Sequence, residues 1–152
     1  MQNRREMLKR SAAVAGLLGG MGLLPQAAQA AWNSAAFDAK TMADLVKALG
    51  AGAPAESKDV TITGPDIAEN GAVVPVGCAT SLPNVKRLLI LVEKNPAMLC
   101  AAFDVTDAVE PNFSTRVKMG QSSNVMAVAI TADNKVLFAQ KEIKVTLGGC
   151  GG

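Results

Sequence analysis

From Val60 onward the apolar residues recur at every second position in short runs, and turn-forming residues interrupt those runs too often for long helices. The runs are Val60-Thr61-Ile62 and residues 72–78, 87–93, 99–105, 114–119, 125–131 and 136–147, rich in Val and Ile. Between them lie Gly64-Pro65-Asp66, Glu69-Asn70-Gly71, Leu82-Pro83-Asn84, Lys94-Asn95-Pro96, residues 120–123 and Asp133-Asn134. In the last run Ile143, Val145 and Leu147 alternate with Glu142, Lys144 and Thr146, which predicts one buried and one wet face. About seven short strands at this spacing predict an all-β chain of immunoglobulin-like β-sandwich type. A short helical segment precedes them between Trp32 and Gly50. There Met42, Leu45, Val46 and Leu49 fall at i, i+3, i+4 and i+7, and Gly50 stands at the C′ position. Gly52, Pro54 and Ser57 mark a linker after it.

The first thirty residues have the order of an export signal. Arg4-Arg5 with Leu8, Lys9 and Arg10 form a basic head, residues 12–24 an apolar middle, and Ala28-Gln29-Ala30 a small-x-small cleavage site. The adjacent arginines read as the twin-arginine type, which places the mature chain in the periplasm. The apolar middle carries Gly16, Gly19, Gly20 and Gly22 and is shorter than the ~20 residues of a bilayer span, so no membrane anchor is expected. The competing reading is a basic surface helix followed by a core helix. The expected organisation is residues 1–30 as signal, 31–147 as helical start plus sandwich, and 148–152 as a separate tail. Removing the signal leaves 15 − 4 = 11 basic and 13 − 1 = 12 acidic residues, a net charge of −1. The basic excess of the whole chain belongs to the leader, and with it goes any argument for a nucleic-acid or anionic-membrane partner.

The chain has no histidine, which removes the commonest general base, the commonest metal ligand and every Ser-His or Cys-His pair. No cofactor or metal is expected, and chemistry falls to the three cysteines. Of these, Cys150 is placed oddly, in Gly148-Gly149-Cys150-Gly151-Gly152. Glycine opens nearly all of backbone space, so this segment is predicted to be a mobile arm reaching roughly 17 Å from a rigid strand end. A thread without neighbouring side chains can enter a narrow active site and present one sulfur there. No Lys, Arg or His adjoins Cys150, so its pKa should stay near the ~8.5 of a free thiol. Such a thiol is a carrier's attachment point, to be activated by the enzymes that receive it, and not a catalyst.

The segment Lys144-Val145-Thr146-Leu147-Gly148-Gly149-Cys150-Gly151-Gly152 closely resembles the end of the SoxY family, the sulfur carrier subunits of the periplasmic thiosulfate-oxidising Sox system. Residues 68–76, 91–96 and 114–120 match it as well, so the resemblance covers essentially the whole chain. It implies that Cys150 bears the cargo, that Gly148, Gly149, Gly151 and Gly152 form the swinging arm, and that the chain pairs with SoxZ. It also implies transient visits by the haem protein SoxAX, which couples thiosulfate to the thiol, by SoxB, which hydrolyses off sulfate, and by Sox(CD)2 where present. A Cys150-linked dimer of heterodimers is a further implication.

Other residues take secondary readings. Cys78 and Cys100 are read either as a disulfide closing a 21-residue loop or as two separate buried thiols. Asp104 and Asp107 are read as a solvated turn, with a carboxylate pair as the sharper alternative. Met98, Met119 and Met126 read as core filler in preference to copper ligands. Arg116 and Lys118 alternate on one strand face, as solvated surface or a docking patch. Two rivals compete with the carrier reading. A ubiquitin-like carrier also ends in Gly-Gly but needs ATP, and an interaction subunit would use its tail cysteine only for an intermolecular disulfide.

Overall fold

A computed structural model describes residues 33–147. Two helices come first, α1 (Ser34–Asp38) and α2 (Met42–Ala48). Nine strands follow: β1 (Pro54–Glu56), β2 (Val60–Thr63), β3 (Ile67–Ala68), β4 (Val74–Thr80), β5 (Val85–Val92), β6 (Leu99–Asp104), β7 (Asn112–Val117), β8 (Ser123–Thr131) and β9 (Val136–Val145). The order β1-β9-β8-β5-β6 makes the larger sheet, with β3 also on β9, and β2-β4-β7 the smaller. The predicted sandwich is present, and the expected strands match β2 and β4 to β9 with ends shifted by at most two residues. β1 and β3 are additions. Both pair in parallel with the same edge of β9, β1 at its start and β3 at its end. Between them the chain crosses to the smaller sheet as β2 and back again, turning at Gly64-Pro65.

The helical segment is two helices, because Ala39 leaves helical conformation and Thr41 restarts the chain as an N-cap, its Oγ1 accepting from Asp44 N–H at 3.1 Å. α2 ends as expected at Gly50, whose φ of 68° suits glycine. Gly50 N–H donates to Lys47 O and Ala51 N–H to Val46 O, a Schellman closure. Asn84 and Asn134 take positive φ at two of the expected turns, a conformation asparagine tolerates well.

The larger sheet is buried on both faces, which explains why β8 and most of β5 read as continuous apolar runs. Leu88, Ile90, Val92, Val125, Ala127 and Ala129 point into the sandwich core with Val74, Val76, Cys78, Val117 and Ile143. Leu89, Leu91, Met126, Val128 and Ile130 point the other way, onto Ala36, Leu45 and Val46 of the helices. One departure concerns the last run. Ile143 is fully buried, but Leu147, which lies past the end of β9, is 64% exposed.

Candidate functional site

The tail residues Gly148, Gly149, Cys150, Gly151 and Gly152 lie outside the described residues, as does the expected leader. The structure does describe the root from which the tail departs. A strap, residues 66–71, runs beside the end of β9 and binds it step by step. Lys144 N–H donates to Asp66 O at 3.0 Å, Thr146 N–H to Ala68 O at 3.1 Å, and Gly71 N–H to Leu147 O at 2.7 Å. Thr146 Oγ1 adds a bond to Glu69 O at 3.1 Å. From the other side Ser122 Oγ accepts from Val145 N–H at 2.9 Å. Gly71 O is bound in turn by Met119 N–H at 2.7 Å, so the strap is itself tied to the chain after β7.

Local sequence explains the strap. Asn70 Oδ1 accepts from Ala72 N–H at 2.8 Å, the Asx turn that Asn-Gly favours. Ala68 is buried in the sandwich core and pins the middle. Lys141 braces the far end, its Nζ 2.8 Å from Asp66 and 2.7 Å from Gly64 O. That hydrogen bond and charge hold the Asp66 carboxyl below the usual carboxylate range. The root is therefore fixed through Leu147 O, three residues before Cys150. The Asn-Gly turn was legible in sequence; the clamp at Ser122 was not, because no local pattern ties residue 122 to residue 145.

The other two thiols are separate, so the disulfide reading is set aside. Cys78 sits on β4 of the smaller sheet, opposite Phe113 and Ile62, whereas Cys100 sits on β6 of the larger sheet. Burial pushes the Cys78 thiol up to about 11, against a weaker downward pull from the Phe113 backbone. Burial also raises Cys100, opposed by the Asn95 side chain, whose Nδ2 lies 3.6 Å from Sγ. At neutral pH both are protonated and poor nucleophiles.

The remaining candidates resolve without forming a reactive centre. Asp104 is engaged by Arg87 across the β5–β6 ladder at 2.6 Å, and both Asp104 and Asp107 are exposed, Asp107 in the turn after β6, as the solvated-turn reading expects. Met119 is buried in the sandwich core, Met98 and Met126 in the helix-side core, as filler. Arg116 and Lys118 are exposed on the same face of the β7 segment, as expected. A cleft of about 320 Å³ runs between Thr63-Gly64-Pro65 and Ser114-Thr115, with no titratable side chain in its lining.

A model of the family described as sulfur oxidation protein SoxY matches residues 45–150. Among solved structures, the sulfur carrier protein SoxY from Chlorobium limicola f thiosulfatophilum is 36% identical. That match has a TM-score of 0.60 and covers 69% of this chain and 96% of that one. A variant of the superoxide reductase (neelaredoxin) from Ignicoccus hospitalis is 18% identical with a TM-score of 0.51, covering 71% of this chain and 90% of that one. This second likeness is of fold alone. No curated protein matches the chain.

Proposed function

Because the chain belongs to the SoxY family of sulfur oxidation proteins, we propose that it is a periplasmic sulfur carrier whose cargo is bonded to Cys150. The observation that carries this reading is the contrast among its three thiols. Cys78 and Cys100 are held protonated by burial, while Cys150 follows a strand end tied down through Leu147. A rigid handle and a single competent sulfur are what a carrier requires.

Loading removes two electrons. Thiosulfate and the Cys150 thiol give Cys-S-S-sulfonate, with one proton released and two electrons passed to the haem of a SoxAX-type enzyme. Hydrolysis by a SoxB-type enzyme then consumes one water, releases sulfate and two protons, and leaves a Cys150 persulfide anion. Where a Sox(CD)2-type enzyme is present, it oxidises that sulfane sulfur before a second hydrolysis. The carrier contributes neither base nor metal to these steps; it contributes position. SoxZ is the expected stable partner, and the twin-arginine leader would export the folded pair. Gly148, Gly149, Gly151 and Gly152 would give the sulfur access to successive active sites.

Incubation with thiosulfate and the haem enzyme, followed by intact-mass and peptide analysis, tests the proposal. A single thiosulfonate adduct on Cys150 is expected, absent in Cys150→Ser. Adducts confined to Cys78 or Cys100, or undiminished turnover in Cys150→Ser, would overturn it. A chain truncated before Gly152 should still load, which separates thiol chemistry from a ubiquitin-like activation of the carboxylate.

A further inference from the structure

Four large apolar side chains are exposed among the described residues: Ile67 at 57%, Val73 at 54%, Val109 at 41% and Leu147 at 64%. Three of them lie at the root of the tail. Ile67 is on β3, paired with Lys144 of β9; Val73 is two residues beyond Gly71, which donates to Leu147 O; Leu147 is the last described residue. Ile67 and Leu147 each sit where the neighbouring position is bound, Ala68 by burial and Thr146 by hydrogen bonds. Their exposure is thus imposed by a fixed backbone.

We propose that Ile67, Val73 and Leu147 form an apolar docking collar for the rim of the catalytic cleft of the enzymes that act on Cys150. This inference rests on the reading that Cys150 carries the cargo. The chain length between Leu147 and the thiol argues for this occupant. Cys150 is the third residue after Leu147, and three residues span at most ~11 Å. An enzyme whose reacting atoms lie inside a cleft can reach the sulfur only by bringing the mouth of that cleft to within this distance of the root. There it meets the segments that carry the three side chains. Exposed apolar groups held among polar neighbours mark contact surfaces, and Glu69, Lys118, Glu142 and Lys144 supply exposed charges nearby.

Size favours a visiting enzyme over a permanent subunit. Three side chains offer on the order of a few hundred Å², whereas a stable pair buries about 1,600 Å² in total. A small patch suits a carrier that must leave each enzyme and meet the next. The collar and the tail then act as two linked contacts, each weak alone, with the second engaged at high effective concentration once the first is made.

The test uses the carrier in its complex with the SoxZ-type subunit, the loading haem enzyme and thiosulfate, with initial rates of Cys150 adduct formation read by intact mass. The triple variant Ile67→Thr, Val73→Thr, Leu147→Thr keeps β-branched or small polar groups at exposed sites. KM for the carrier should rise roughly tenfold while kcat is unchanged, the signature of lost uniform binding. Val109→Thr, equally apolar but on the β6–β7 connection, should match the parent. An unchanged KM in the triple variant, an equal rise in Val109→Thr, or a fall in kcat alone would overturn the collar. Loss of the SoxZ-type subunit from the triple variant on gel filtration would assign the patch to that subunit and overturn it too. A parent chain that takes no cargo on Cys150 defeats the carrier reading and the collar with it, whereas a loading parent with an unaffected variant defeats the collar alone. Should the triple variant unfold, Leu147→Thr, beyond the last strand, carries the test with a rise of about twofold.

Discussion

Three cysteines in one chain present a problem of selectivity, and burial settles it for two of them. Cys78 is almost wholly buried between the sheets and Cys100 half-buried at the start of β6, so the ionised form of each is penalised. Alkylation of the native protein at about pH 8 should therefore label Cys150 first, Cys100 slowly, and Cys78 only on unfolding, as peptide mass mapping will read. The same burial makes stability depend on alkaline pH. The unfolded thiol loses its proton from about pH 9, the folded Cys78 near 11, so the unfolded state binds fewer protons in that window. Denaturation midpoints should hold level up to about pH 8.5 and fall above it, with Cys78→Ala removing the larger part of the slope. Gly77 is a second site where one residue decides packing. A Cβ there would lie 2.5 Å from Thr63 Oγ1 and 3.3 Å from Ser114 Oγ. Gly77→Ala should cost about 1–2 kcal/mol in denaturant melts, and adding Thr63→Ala should recover part of it, a coupling that independent sites would not show.

At the scale of elements, the strands were legible because their period is two and their breaks are chemical. Asn84, Asn134 and the Asn70–Gly71 turn stand where a chain must reverse, and the structure reverses at each. What sequence did not disclose are features fixed by distant partners. β1 lies in what composition marks as linker, and only the open edge of β9 makes Pro54–Glu56 a strand. β3 is two residues long, too short for any periodicity to register. The break between α1 and α2 at Ala39 leaves no Gly or Pro signal. Likewise the placing of Cys150 among glycines is plain in the sequence, but the clamp on the strand end before it joins Ser122 to Val145 across 23 positions. Ser122→Ala removes the acceptor of Val145 N–H. We expect a local cost of about 1 kcal/mol and faster amide exchange at Val145, Thr146 and Gly71, with the sandwich core still protected. The Thr41 cap is testable in the same way: Thr41→Ala should lose about 1 kcal/mol, confined to the helices.

For the whole molecule, one sheet serves two cores, and the tail root belongs to only one of them. Ala68, Met119 and Val145 join the sandwich core, whereas the helices pack on the opposite face against Leu89, Leu91, Val128 and Val136. Val136 begins β9 and Val145 ends it, so nine residue steps, roughly 30 Å, separate the helix-packed start of that strand from the carrier root. A defect in the helix core should then lower global stability without loosening the root. Leu45 is fully buried at the centre of that core, and Leu45→Ala removes three carbon atoms from a site whose sheet side cannot collapse. A loss of about 2–5 kcal/mol is expected in equilibrium denaturation, with the melting temperature lowered accordingly. At 25 °C, while the variant remains folded, its rate of thiosulfate loading on Cys150 should equal that of the parent. Ser122→Ala should show the converse pattern, a small stability loss with a raised KM for the carrier, because a looser root spreads the sulfur over a larger volume. Finding that Leu45→Ala slows loading of the folded chain would show the two cores to be coupled through the shared sheet, and the rigid handle would have to include the helices.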